Sequence, residues 1–350
     1  MIPDVGAELL AEAEALLAQR SEKALRVFYQ AEVAGANVDT CAAGRWMAQM
    51  LAGNFADAWC ESDAIWRRGT LDPHRFWNGQ PVDGKRVIVR CLHGLGDAVQ
   101  FLRYLPRLEA RAASVVVEVP PALLELAPFI DGVRHVVTWG DRAPLEPPAW
   151  DVQLEVMELP YLFRTTLDDL PIAENYLRVS SCKPSRGDLT SSAYPRVGLV
   201  WAAGEWNTAR SIPFSLVQLL IENCGCEFWN LQGTPASDEW HCLSRSPRLQ
   251  DAADCRTGVM NLAKTIAELD LVITVDTLAA HLAGAMGRPA WVLLGYAADW
   301  RWMTKREDSP WYPSLRLFRQ PLPGDWESVI VRITEELRLW EEIRQEQQVA

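Results

Sequence analysis

LVITVDTLAAHLAGAMGRPAWVLLG, residues 271–295, is the stretch on which the fold turns. A very apolar strand ends at Val275, and Asp276 and Thr277 then open a helix, both being residue types that favour helix N-termini. Gly287-Arg288-Pro289 marks a turn, and PAWVLL (289–294) is a second apolar strand. Strand, helix and strand in this order form one unit of a parallel sheet covered by helices on both faces. The stretch 278–298 is the most apolar long segment, but His281, Arg288 and Pro289 lie within it. It is therefore expected as a buried helix, turn and strand, with no membrane span.

The same alternation extends outward on both sides. RVGLVW (196–201), CEFWNLQ (226–232) and LDLVITV (269–275) are strands, separated by the helical patterns PFSLVQLLIENC and VMNLAKTIAEL. Upstream, KRVIVRCL (85–92), SVVVEV (114–119), RHVVTW (134–139) and VQLEV (152–156) are short β-branched runs, with helix-compatible AVQFLRYLPRLEARA (98–112) between them. The Ser-rich stretch SSCKPSRGDLTSSAYP (180–195) has the composition of a linker. The pattern gives two α/β halves, 76–185 and 186–350, behind a helical segment 1–75. Trp326, Val329, Ile330, Ile333, Leu337, Trp340 and Ile343 recur at helical spacing, so a closing amphipathic helix is expected against one half or the other.

The helical segment carries a faint repeat. Ala24, Phe28 and Ala31 recur 34 residues later as Ala58, Ser62 and Ile65, and LAGNFADA (51–58) has the Gly-x-aromatic-x-x-Ala rhythm of a tetratricopeptide unit. Two such units bury little alone, so the segment is expected to cap or dock onto the neighbouring α/β half.

Composition narrows the class. With 350 residues, 49% hydrophobic and 23% charged, the chain is long enough for two α/β domains with real cores. A formal net charge of −12 argues against nucleic acid as a partner while leaving room for a local anion site of Arg and backbone amides. Sixteen tryptophans, several late in the chain, are first of all packing material. The eight cysteines show no zinc-ligand spacing and are expected reduced, and no secretory signal opens the chain, so a cytoplasmic location is expected.

Three loops bear the residues of chemical interest. HGLGDAVQF (93–101) comes after a strand; Gly94 and Gly96 permit a tight turn and close approach, and the helix beyond offers unpaired N–H groups to an anion. Val99 stands where a dinucleotide fingerprint has its third glycine, which counts against a nicotinamide or flavin dehydrogenase. Asp97 sits in the first helical turn, where a carboxylate is equally at home as a cap. VWAAGEWNTARSIPF (200–214) is a strand and loop holding Arg210 and Ser211, and a guanidinium grips two phosphate oxygens in fixed geometry. In the third loop Asp276 and Thr277 lie at a strand's carboxyl end, with His281 on the same helical face as Thr277. Thr and helix N–H groups suit a diphosphate, and a carboxylate suits ribose hydroxyls. Each residue also has a purely structural role open to it: caps for Asp276 and Thr277, a satisfied buried imidazole for His281, a surface charge for Arg210. Asp-x-Asp, a common metal–nucleotide signature, does not occur, and no metal or cofactor is expected.

Taken in order, Gly-x-Gly-Asp, the basic loop and Val-Asp-Thr-x-x-x-His resemble glycosyltransferase family 9, the ADP-heptose–lipopolysaccharide heptosyltransferases of GT-B fold, over roughly residues 84–325. Asp276, Thr277, His281, Gly284 and Gly287-Arg288-Pro289 all fit that pattern. With the helices in front and DWRW…DSPWYPSLRLFRQ (299–320) behind, the whole looks like a bacterial tetratricopeptide–glycosyltransferase subgroup. The resemblance implies two Rossmann-like domains facing a cleft. It implies Asp97 as catalytic base on the acceptor side, and Arg210, where a lysine is usual, on the donor phosphates with Ser211, Gly94 and Gly96 at the same site. Asp276, Thr277 and His281 would hold the nucleotide-sugar, and Gln232 would line its base or ribose. Transfer by inversion, without a metal, from a nucleotide-diphosphate sugar to a glycan, lipid-linked or protein hydroxyl is the implied reaction. GYAADWRW (295–302) departs from the Gly-Pro-Thr-like turn usual beside the donor. The acidic chain and its helical prefix favour a protein acceptor or partner presented by the helices. A non-catalytic scaffold or nucleotide-sugar sensor is the alternative, and a nucleotide-sugar epimerase a third. Sugar, acceptor and oligomeric state are not legible.

Overall fold

The computed structural model describes residues 4–70, 75–140, 149–171, 175–179, 194–232, 248–252 and 257–349. Helices α1 (Val5–Ala18), α2 (Lys23–Val33), α3 (Val38–Ala52) and α4 (Phe55–Arg67) make up the first segment. Asp4 and Asn37 cap α1 and α3 with side-chain oxygens, and Gly53 closes α3 at φ 84, a backbone state other residues avoid. The connecting loops are short, so successive helices run back and forth. Ala24, Phe28 and Ala31 are fully buried; a Cβ at Gly44 would meet the Phe28 ring at 2.2 Å, so the close approach of α2 and α3 needs glycine there. In α4, Ala58 is buried while Ser62 and Ile65 are half-exposed. Burial thus matches across the 34-residue spacing at Ala24 and Ala58 and differs at Phe28 and Ser62 and at Ala31 and Ile65.

The first sheet contains β1 (Arg86–Arg90), β2 (Ser114–Val119), β3 (Val136–Thr138) and β4 (Val152–Glu155), in the order β3-β2-β1-β4 and parallel throughout. Between β1 and β2 run α5 (Leu95–Phe101) and α6 (Leu105–Glu109), and α7 (Leu159–Leu162) comes after β4. The single helix expected over 98–112 is thus two, starting earlier and broken by a 3-10 turn at Leu102–Tyr104. At the break the Val99 carbonyl accepts from the Tyr176 hydroxyl and the Gln100 carbonyl from Arg103 Nε, and Pro106, which has no N–H to give, falls in the first turn of the second helix.

The second sheet contains β5 (Arg196–Val200), β6 (Glu227–Asn230), β7 (Leu249–Asp251), β8 (Leu271–Val275), β9 (Ala290–Leu294) and β10 (Leu315–Arg319). Helices α8 (Phe214–Asn223), α9 (Val259–Glu268), α10 (Leu278–Ala285) and α11 (Trp326–Val349) accompany them. Its order, β10-β9-β8-β5-β6-β7, is again all parallel and is the doubly wound nucleotide-binding order seen from the far edge. Strands β7 and β10 go beyond the sequence expectation: β7 has three residues, and β10 carries Arg316 between apolar neighbours. Most of the Ser-rich linker, 180–193, lies outside the described residues.

Helix α11 closes the second half. Its Glu336 pairs with Arg316 of β10 at 2.7 Å through both oxygens, and Glu341 accepts the Gly225 N–H at 2.9 Å. Apolar burial ends at Leu337 and half-buried Trp340, with Glu341 buried beside them; Ile343, expected on the inner face, is exposed. Among the described residues no helix is long and apolar enough to cross a membrane. Cys41, Cys60, Cys91, Cys224 and Cys226 are free thiols; Cys182, Cys242 and Cys255 lie outside the described residues.

Helix α10 is buried along its whole length because both halves press on it. A Cβ at Gly284 would fall 2.4 Å from the Tyr312 ring, and one at Gly96 of α5 would fall 2.6 Å from the His281 ring. Ala285 O accepts from both Tyr176 N and Leu177 N at 3.0 Å, anchoring the segment that leads from the first half. The small residues of LAAHLAGA are what such an approach requires.

Candidate active site

In parallel sheets of this order, the gap between neighbouring strands whose crossovers leave in opposite directions lies at their carboxyl ends. The first sheet has that gap between β1 and β4, the second between β5 and β8, and the two are brought to one cleft of ≈ 1520 Å³. Asp97, Arg210, Asp276 and Thr277 line it, joined by Arg20 and Met47 from the helical segment. A single small-ligand site occupies about 300–1,000 Å³, and this cleft is larger.

Asp97 is the third residue of α5. One carboxylate oxygen accepts the Gly94 N–H at 2.9 Å, closing a capping box, and the other accepts from Arg301 Nη2 at 2.5 Å. It is therefore both the cap and an ion pair reaching across to the second half. Gly94 sits in ordinary extended backbone (φ −67). The room that Gly96 leaves is filled by His281, so this glycine serves the approach of α5 to α10.

Arg301 and Asp299 belong to GYAADWRW, the segment that departs from the family pattern. Arg301 is buried, gives Nη1 to Asp299 at 2.8 Å and Nη2 to Asp97, and lies over the rings of Phe101 and Trp300 at 5.2 and 5.1 Å. Burial works against its charge, and Asp299 and Asp97 more than offset that. The helical segment holds this loop. Arg20 donates to Ala298 O at 2.7 Å, Tyr296 donates to Gln19 O at 2.8 Å, and Trp46 and Phe55 each meet the Trp300 ring edge-on at 6.0 Å. The unusual turn and the added helices are thus one construction.

On the other wall, Asp276 comes directly after β8 and is buried; burial and the nearby Asp299 push its carboxyl up, against the pull of Arg210 and Arg301. Arg210, at the end of the 3-10 turn Glu205–Arg210, donates to the Asp276 carbonyl at 2.8 Å and its carboxylate at 3.3 Å. Thr277 is the N-cap of α10 in extended backbone, its hydroxyl 3.1 Å from that of Thr274. Ser211 Oγ accepts the Ala203 N–H at 3.0 Å and closes the loop after β5. Gln232 grips the same loop: Oε1 accepts Trp201 N at 3.1 Å and Ala202 N at 2.9 Å, while Nε2 donates to Ala202 O at 3.2 Å. Both shape the floor beneath Arg210.

His281 is buried, with Nδ1 3.0 Å from the Tyr312 hydroxyl. Burial, with the fields of Arg301, Arg103 and Arg210, lowers its pKa to about 3, so the ring is neutral. Tyr312 continues to Tyr176 and to fully buried Arg103, which donates to Trp311 O at 2.5 Å. This polar chain runs from the first half into the second.

Sequence reasoning misses Arg301, Asp299, Tyr312 and Glu155. Glu155 ends β4 under the Asp97 loop, accepting Met157 N at 2.6 Å; burial, aided by Asp97, raises its pKa to about 7. The Asp-x-Arg of 299–301 is the available signal, masked by its aromatic neighbours.

No protein-family model matches the sequence. The chain is 27% identical over 318 residues to protein FlbA of Caulobacter vibrioides, a match covering 82% of this chain. The chain spans about half the length (53%) of that curated relative. Two solved structures share its fold. Against the glycosyl transferase family 9 structure from Veillonella parvula DSM 2008 the TM-score is 0.51 at 14% identity, covering 74% of this chain and 99% of that one. Against E. coli ADP-heptose lps heptosyltransferase II it is 0.52 at 17% identity, covering 73% and 99%. The fold is thus that of the GT-B-like family 9 glycosyltransferases, and the uncovered quarter is about the size of the helical segment.

Proposed function

We propose that this chain is an inverting, metal-independent glycosyltransferase that moves a sugar from a nucleoside-diphosphate donor to a hydroxyl acceptor in the cytoplasm. The supporting observation is that the carboxyl-end gaps of both sheets meet in one cleft, with Asp97 on one wall and Arg210, Asp276 and Thr277 on the other. The donor diphosphate takes the N-terminus of α10 and the Arg210 guanidinium, where N–H dipoles and a fixed cation favour anions. Asp276 accepts from donor hydroxyls. The acceptor oxygen bonds to the anomeric carbon as the bond to the diphosphate breaks, and the acceptor proton passes to Asp97. Arg210 and Arg301 balance the charge that develops on the leaving group.

At rest Arg301 holds Asp97. A bound diphosphate draws on the same guanidinium and loosens its hold on Asp97 when the donor is in place. The domain limits 1–75, 76–185 and 186–350 belong to the same reading, with a glycan, lipid-linked or protein acceptor entering along the helices.

The test has two parts. Nucleoside diphosphates and their sugar conjugates should raise the melting temperature of the wild-type chain. Asp97→Asn should keep that shift while transfer falls about 10²–10⁴-fold, the usual worth of a general base. Wild-type transfer in Asp97→Asn removes Asp97 from this role. Because both Asp97 oxygens are engaged, a second reading is a nucleotide-sugar sensor without transfer. It predicts donor binding in both proteins and turnover in neither.

A further inference from the structure

Two guanidiniums at the junction of the helical segment and the second sheet have no carboxylate in contact among the described residues. Arg20 lies just past α1 in left-handed backbone (φ 57), uncommon outside glycine. It lines the cleft, gives Nη2 to Ala298 O at 2.7 Å, and has a buried Nε with no partner. Arg319, the last residue of β10, clasps the same loop from outside the cleft lining, donating to Trp302 O at 3.0 Å and Met303 O at 2.5 Å. Among the described residues neither forms an ion pair, whereas Arg210 and Arg301 of the same cleft each hold a carboxylate. Asp299 acts on Arg20 electrostatically but is committed to Arg301 at 2.8 Å.

Stapling a loop by its carbonyls needs donors, not charge. Here two part-buried cations lie close enough to repel: burial, then the field of Arg20, brings the Arg319 pKa down to about 10. Burial likewise weakens the proton hold of Arg20. In a chain with a net charge of −12, carboxylates are plentiful, so the missing counter-ion is notable. The cleft also has room for more than a donor.

We propose that Arg20, backed by Arg319, forms an anion subsite that the helical segment adds to the cleft, taking a phosphate or carboxylate group carried by the second substrate. That this anion arrives on a substrate of sugar transfer rests on the function proposed above; the anion site itself does not. The oxyanion takes the guanidinium N–H groups that Ala298 leaves free, and relieves the repulsion between the two arginines.

The experiment uses the full chain with Arg210→Gln, which removes one of the two other cations of the cleft while Arg301 stays paired with Asp97 and Asp299, and titrates inorganic phosphate and glucuronate calorimetrically. Binding is expected to persist in that background, to weaken about ten- to a hundredfold on adding Arg20→Gln, and to weaken less with Arg319→Gln. Phosphate binding alone points to a phosphorylated substrate, and glucuronate binding alone to an acidic sugar; either supports the site. Both variants lose guanidinium bonds to the 298–303 carbonyls, so circular dichroism at the titration temperature first checks that each is folded. In folded protein, binding unchanged by Arg20→Gln, or absent for both anions, overturns the proposal. None of these readouts depends on nucleoside diphosphates, so failure here is separable from failure of the transferase reading.

Discussion

A methyl group at position 96 has nowhere to go. It would sit 2.6 Å from His281, whose ring is held by the Tyr312 hydroxyl and packed beside Trp302. Gly96→Ala should therefore cost about 1–3 kcal/mol by denaturant titration. Gly94→Ala, whose Cβ would first meet the Asp97 carboxylate at 3.0 Å, should cost less. Two buried titratable groups give opposite pH signatures. His281 is depressed to about 3, so the unfolded chain binds its proton first and stability falls with acidification below about pH 6.5. Glu155 is raised to about 7, so its contribution is full below about pH 4.5 and is lost as pH rises through 7. Relative to wild type, His281→Gln should gain stability between about pH 7 and pH 5, and Glu155→Gln between about pH 5 and pH 8. Chemical denaturation at those pH values checks both. At this scale the sequence shows where Asp97, Arg210, Asp276 and His281 stand along the strands, because each lies beyond a strand end. It does not show their partners: Arg301 and Tyr312 are distant in sequence, and only tertiary packing sets them beside Asp97 and His281.

Among the elements, the segment 295–304 does the most for the site. Its Trp300 is packed by Trp46 and Phe55 from the helical segment and by Phe101 from the first half. Trp300→Ala should cost about 3–5 kcal/mol. Under the proposed function it should also slow transfer more than Trp46→Ala, because Arg301 is the next residue and its cation lies against the Trp300 ring. Melting temperatures and single-turnover rates of the two variants measure this. Strand identities are legible wherever β-branched runs are bounded by turns, as in 85–92 and 269–275. Strands β7 and β10 escape notice for physical reasons: one is too short to show a period, and the other pairs its arginine with Glu336 of α11. The helix expected over 98–112 divides at Leu102–Tyr104, where apolar spacing continues but the Val99 and Gln100 carbonyls are taken by the Tyr176 and Arg103 side chains.

For the molecule as a whole, two parallel sheets joined by a Ser-rich stretch are readable from alternation alone, since parallel strands buried on both faces leave near-continuous apolar runs. What alternation leaves open is how the halves and helices meet. The contact rests on α10, whose Ala and Gly residues look unremarkable in sequence and become meaningful only when two neighbours press on them.

That doubly pressed helix has a mechanical consequence. Where Gly96 of the first half meets His281 of the second, the halves touch with no room for a methyl group between them. Opening of the cleft is then expected to be a rocking about this contact, small near Asp97 and growing toward the far rim. Amide hydrogen exchange should accordingly be slowest along 278–285, with nucleotide addition changing protection chiefly in the loops 201–211 and 295–299, at the end of the lever.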